Sequence, residues 1–97
     1  MRHFFRSHRP PADVLAAADT FFPEIGLAQS ATAPRSRTFS GALGIVKLTA
    51  KPEGGHYTFV AAETDQMGES RMDRNVKRFF MELHRTADPT HRLSVSY

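Results

Sequence analysis

One apolar stripe in the last third of the sequence constrains the fold more than any other feature. Its members recur at helical spacing and fall within an arc of roughly 100° on a helical wheel. They are Met72, Val76, Phe79, Phe80, Leu83 and Ala87. Ser70 and Asp73 match the S-x-x-D capping pattern at the start of this segment, and Pro89 ends it. We therefore expect a helix from about residue 70 whose stripe packs against the rest of the protein.

A second helix is predicted near the beginning of the chain. Pro10 and Pro11 would lie in its first turn, where a missing N–H is harmless. Apolar residues then recur with a helical period, at Val14, Leu15, Ala18, Phe21 and Phe22. Pro23 and Gly26 are expected to end this helix.

A β-hairpin is predicted in the middle of the chain. FSGALGIVKLTA (39–50) and HYTFVAAET (56–64) are rich in aromatic and β-branched residues, and KPEGG between them is a turn signal. Gly41 and Gly44 weaken the first strand and indicate a bulge or a close approach by a helix. In the second strand Tyr57 and Phe59 share one face and are expected to point into the core, because that orientation buries the larger volume.

The ends of the chain predict two short strands, RHFFRS at 2–7 and HRLSVSY at 91–97. IGLAQSATAPRSR (25–37) has neither period and predicts a loop that is mobile or used in binding. The resulting order is βαββαβ, the ferredoxin-like arrangement, in which two helices cover one face of an antiparallel sheet. A length of 97 residues suits one α+β domain, 1–97, built as a two-layer sandwich.

Composition and motifs exclude several classes of function. The chain has no cysteine, so it has neither disulfides nor thiolate chemistry, and the cytoplasm is the expected compartment. We expect neither a signal peptide nor a transmembrane segment, because no apolar run is long enough. The common acyl-transfer, nucleotide and dinucleotide motifs are absent, so no catalytic residue and no cofactor is predicted.

Two polar groups are interpreted as structural. His84, Asp88 and His91 have a spacing that could converge on a metal, but Pro89 would interrupt the helix between them, and we predict no metal site. Acidic residues also gather between the hairpin and the last helix, where they would complement the helix dipole. They are Glu63, Asp65, Glu69 and Asp73.

Arginine dominates the basic residues and points to an interaction surface. The formal net charge is +3, and Arg favours bidentate contacts with carboxylates and phosphates. Opposite the apolar stripe of the last helix lies a set that we call the arginine row: Arg71, Arg74, Arg78, Met81 and Arg85. Asp73 is expected to pair with Lys77, and Glu82 with Arg78 and Arg85. The compensation is partial, so we predict a non-catalytic accessory subunit that binds an acidic protein partner, for example an extrinsic subunit of a membrane complex.

The N-terminal segment provides a second candidate surface. Arg2, Phe4, Phe5 and Arg6 mix aromatic and cationic groups and could dock on an acidic partner or at a lipid headgroup layer. The same phenylalanines would instead be core residues if the first strand forms. The sequence alone does not distinguish an interface role from a core role for Phe4 and Phe5.

Nucleic-acid binding is the alternative function. YTFV at 57–60 resembles the centre of the RNP1 strand of RNA-recognition domains, which share the βαββαβ order. The resemblance implies stacking of bases on Tyr57 and Phe59. Gly55 and His56 stand where that motif has a cation and a glycine, and Ala62 stands where it has a third aromatic.

Overall fold

The computed structural model describes residues 1–86, which form an antiparallel sheet of five strands and two α-helices. The elements in chain order are β1 Arg2–Ser7, α1 Pro11–Glu24, β2 Ala28–Ala33, β3 Ser36–Gly41, β4 Gly44–Glu53, β5 Tyr57–Thr64 and α2 Arg71–Thr86. The strands lie in the order β1-β5-β4-β3-β2. The predicted α+β class is confirmed.

The ferredoxin-like arrangement is not confirmed. Four strands separate α1 from α2, where the sequence pattern predicted two, and β1 pairs with the last of them, β5. The predicted last strand (91–97), Ala87 of the apolar stripe and the proposed helix stop at Pro89 lie outside the described residues.

The segment predicted as a loop, 25–37, contains a strand, and this prediction was wrong. β2 pairs with β3 from Ala28↔Ser40 to Ala33↔Ser36, with one irregularity between Gln29 and Ala31. All six β2 residues are exposed. Such a strand forms through backbone hydrogen bonds at the edge of the sheet. Its side chains therefore need neither be large nor alternate between apolar and polar.

The predicted first hairpin strand, 39–50, is divided by a turn. Gly41 pairs with Gly44, and the two residues between them reverse the chain into β4. Gly44 has a φ of +119°, which a residue with a side chain rarely adopts. The glycines that suggested a bulge therefore close a second hairpin. The predicted turn between β4 and β5 is found, but β4 continues through Glu53, so the turn consists of Gly54, Gly55 and His56.

Both helices pack on one face of the sheet, α1 over β3 and β4 and α2 over β1 and β5. The predicted stripes are buried, with only Phe21 of α1 partly exposed. At the centre, the Phe22 ring lies 5.0 Å from that of Phe39 and 5.1 Å from that of Phe79. These aromatic rings supply the volume of the core from two helices and a strand. Only small side chains are needed from β5.

Candidate binding surfaces

The arginine row lies on α2, opposite the buried stripe, as the helical period predicted. All five of its side chains are exposed, and Met81 is 71% exposed. The helix is capped as expected, because the Asp73 backbone N–H donates to Ser70 Oγ at 3.1 Å. A capped helix packed on the sheet therefore presents the arginine row to the outside of the molecule.

Most of the row lacks counter-charges. Within residues 1–86, Arg71, Arg74 and Arg78 form no ion pair; Arg78 instead lies over the Phe21 ring at 5.2 Å. Glu82 pairs with Arg85, but the expected pair with Arg78 is not formed. Within residues 1–86, Arg71 and Arg74 therefore carry no counter-charge, and Arg78 has an aromatic ring in place of a carboxylate.

The predicted Asp73–Lys77 pair is wrong. Asp73 points inward and is fully buried, and Lys77 lies 3.4 Å from Glu69 instead. The capping role of Asp73 in the first turn of α2 turns its carboxylate towards the sheet.

An apolar groove adjoins the row. It has a volume of about 760 Å³, and Phe5, Phe80 and Met81 supply its apolar lining. Phe5 of β1 and Phe80 of α2 stack with ring centroids 5.2 Å apart. The polar residues that line the groove include three cations and one carboxylate, and they are Lys77, Arg78, Glu82, His84 and Arg85.

Asp73 is the centre of a buried polar cluster that joins β1, β5 and α2. Its carboxylate lies 2.8 Å from His3 Nε2, and it accepts hydrogen bonds from Thr64 Oγ1 at 3.0 Å and Ser70 Oγ at 2.6 Å. Burial acts to raise the pKa of Asp73, but the hydrogen bonds from Ser70, His3 and Thr64 outweigh it and lower the pKa below its ordinary value. This cluster fixes the position of α2 on the sheet.

The remaining residues of the acidic group are also engaged. Glu63 pairs with Arg2, and Asp65 accepts a hydrogen bond from the Ile45 backbone N–H at 2.8 Å, which lowers the pKa of Asp65. Within residues 1–86, no three His, Asp or Glu side chains could hold a metal ion. Of the metal candidates raised by spacing, Asp88 and His91 lie outside the described residues.

The opposite face of the sheet carries a second candidate surface, which no helix within residues 1–86 covers. We call it the open sheet face, and its outward residues lie on three strands: Arg2, Phe4 and Arg6 of β1; Tyr57, Phe59, Ala61 and Glu63 of β5; and Lys47, Thr49, Lys51 and Glu53 of β4. The preference for Tyr57 and Phe59 in the core was wrong. Thr58, Val60 and Ala62 are buried instead.

Aromatic and cationic side chains are interleaved on the open sheet face. The register places Arg6 and Lys51 directly across from Phe59 on either side, and these cations lie 5.5 and 5.7 Å from its ring centroid. Phe4 stacks on Phe59 at 5.5 Å, and Tyr57 lies 4.8 Å from His8.

The predicted N-terminal surface is divided between two faces. β1 forms, and its alternation sends Phe4 to the open sheet face and Phe5 to the groove beside α2. Arg2 and Arg6 lie on the same face as Phe4. Arg2 pairs with Glu63 at 3.1 Å, and Arg6 pairs with Glu53 at 2.7 Å. Sequence reasoning missed Lys47 and Lys51, because only the register of three strands brings them beside the aromatics.

The described residues form a small α+β fold with two separate candidate binding surfaces. No helix within the described part of the chain is long and apolar enough to cross a membrane. No family model matches the chain, and no curated protein matches it either.

Proposed function

We propose that this protein is a non-catalytic accessory subunit that binds an acidic protein partner through α2. The observation that carries the proposal is the run of exposed Arg71, Arg74 and Arg78, which form no ion pair within residues 1–86 and are set beside an apolar groove. Like charges at helical spacings of three and four residues cost an isolated helix a few tenths of a kcal/mol each. A partner carboxylate that accepts these guanidinium groups would remove that cost.

The composition of the surface also favours a protein partner. Arginine, methionine and aromatic residues are enriched at protein interfaces, and Met81, Phe5 and Phe80 supply the apolar part here. A flexible thioether adapts to irregular surfaces. We therefore propose an amphipathic partner segment whose apolar side chains enter the groove while its carboxylates meet the arginines. An extrinsic subunit of a membrane complex is one form such a role takes.

The test is charge reversal on α2 with a matched control elsewhere. The double variant Arg74→Glu/Arg78→Glu should keep the fold, because both side chains are exposed, yet weaken binding of the co-purified partner by roughly 2 kcal/mol or more, over tenfold in Kd. Arg35→Glu reverses an equally exposed arginine in the turn between β2 and β3 and should leave Kd unchanged. Unchanged binding by the double variant contradicts the proposal for this surface.

A further inference from the structure

The open sheet face has a pattern of exposure that the fold does not require. Phe4 is 58% exposed and Tyr57 is 41% exposed, on a face where strands of a one-sided sheet usually carry polar residues. Together with Phe59 they follow a diagonal across β1 and β5. Burial within residues 1–86 therefore stabilises these exposed rings little. Their contacts are with one another and with the adjacent cations.

Charge on this face is unevenly placed. Its four cations, Arg2, Arg6, Lys47 and Lys51, exceed its two carboxylates, Glu53 and Glu63. The carboxylates lie in the outermost rows of the register, Arg2–Glu63–Lys47 and Tyr57–Glu53. The two rows between them hold the phenylalanines and two cations and no carboxylate. The centre of the face is therefore aromatic, with Arg6 paired to Glu53 and with Lys51 forming no ion pair within residues 1–86.

A ligand that fits this centre needs flat apolar groups and regularly spaced negative charges. Single-stranded nucleic acid has both, since its unpaired bases stack on aromatic side chains while its phosphates attract Lys and Arg. An acidic peptide would supply the charge, but planar groups only where it also carries aromatic residues, whereas every nucleotide carries both. Duplex nucleic acid hides the base faces that Phe4 and Tyr57 would contact.

We propose that the open sheet face binds single-stranded nucleic acid. Phe4 and Tyr57 each stack one base, with Phe59 packed between them, and Arg6 and Lys51 contact the intervening phosphates. Three strands accommodate on the order of two or three nucleotides. This site is separate from the α2 surface, so the two proposals stand or fall independently.

The probes are fluorescent oligothymidylate and oligouridylate of about 12 nucleotides, measured by anisotropy with the full chain. We expect both to bind, with affinity that falls steeply as salt rises. Phe4→Ala and Tyr57→Ala should each weaken binding roughly five- to twentyfold. Met67→Ala removes an apolar side chain that is 86% exposed between β5 and α2, and it should leave oligonucleotide binding unchanged.

A second pair of variants tests the phosphate contacts. Lys51→Ala should lower the slope of log Kd against log salt by about one, whereas Lys77→Ala on α2 should leave it unchanged. Circular dichroism and urea unfolding verify that each variant folds. A preference between the two oligonucleotides distinguishes DNA from RNA as the ligand.

Three results would overturn the proposal. One is the absence of binding at low salt, and another is equal loss of binding from Met67→Ala and Phe4→Ala. The third is a concentration-dependent dimer that Phe4→Ala dissociates, which would assign the open sheet face to a second copy of this chain.

Discussion

The two faces of the sheet use phenylalanine in opposite ways. On the helix-covered face Phe39 is fully buried against Phe22 of α1. On the open sheet face Phe59 lies between two cations and under the exposed Phe4. The difference teaches that an aromatic residue in a strand indicates the core only when its face is known. Phe39 lies across from Val46 and Gln29, whereas Phe59 lies across from two cations, Arg6 and Lys51.

The largest expected difference between the faces is in stability. Phe79 is fully buried with its ring against Phe21 and Phe22, so Phe79→Ala should lower the free energy of unfolding by about 3 to 5 kcal/mol. Phe4→Ala makes the same chemical change on the open sheet face and should cost roughly 1 kcal/mol or less. Urea unfolding of both variants measures the contrast. Equal losses would show that the open sheet face belongs to the core of the protein.

The polar cluster on the covered face should have an effect of intermediate size. Asp73→Ala leaves His3, Thr64 and Ser70 without their buried acceptor and should cost about 2 to 3 kcal/mol in the free energy of unfolding. Its pH dependence follows from the lowered pKa of Asp73. A carboxyl whose pKa is lower in the folded state stabilises the fold above its unfolded pKa of about 3.9. That contribution is lost as pH falls through the lower, folded pKa.

Asp73 and Asp65 both have lowered pKa values, so both contribute stability that is lost in acid. Urea midpoints of the wild type should fall as the pH drops below about 4, and Asp73→Asn should flatten that fall. Asp65→Asn should remove the second contribution, so the two variants measure each carboxylate separately. A wild-type profile reproduced by Asp73→Asn would remove Asp73 as a source of the acid sensitivity.

The parts of the fold that the sequence predicted are those with strong local signals. The two helices follow from their apolar period and from capping at Ser70, and the β4–β5 hairpin follows from KPEGG. β2 was missed because AQSATA has no large side chain and forms only by pairing with β3. The orientation of β5 was missed because the expected core volume was taken from the hairpin residues alone. In the structure the helices contribute the large core side chains, among them Phe22 and Phe79.

The candidate surfaces divide in the same way. The arginine row could be located from helical spacing alone, since its members lie within one helix. His3 beside Asp73 could not, because 70 positions separate the two residues and no local pattern connects them. The open sheet face required the register of β1, β5 and β4, which depends on the whole tertiary structure.

The smallest expected effect is the coupling between charges on the open sheet face. Arg6 and Glu53 lie 2.7 Å apart, yet their side chains are 61% and 38% exposed, so water screens the pair. A double-mutant cycle with Arg6→Ala and Glu53→Ala should give a coupling below about 1 kcal/mol in the free energy of unfolding. High salt should reduce it further. A coupling as large as the effect of Asp73→Ala would mean that this pair is a structural element, and Arg6 would then be held by Glu53 and unavailable to a phosphate. A small coupling leaves Arg6 able to exchange one carboxylate for another anion at little cost, which is the property that separates a binding surface from the buried cluster behind it.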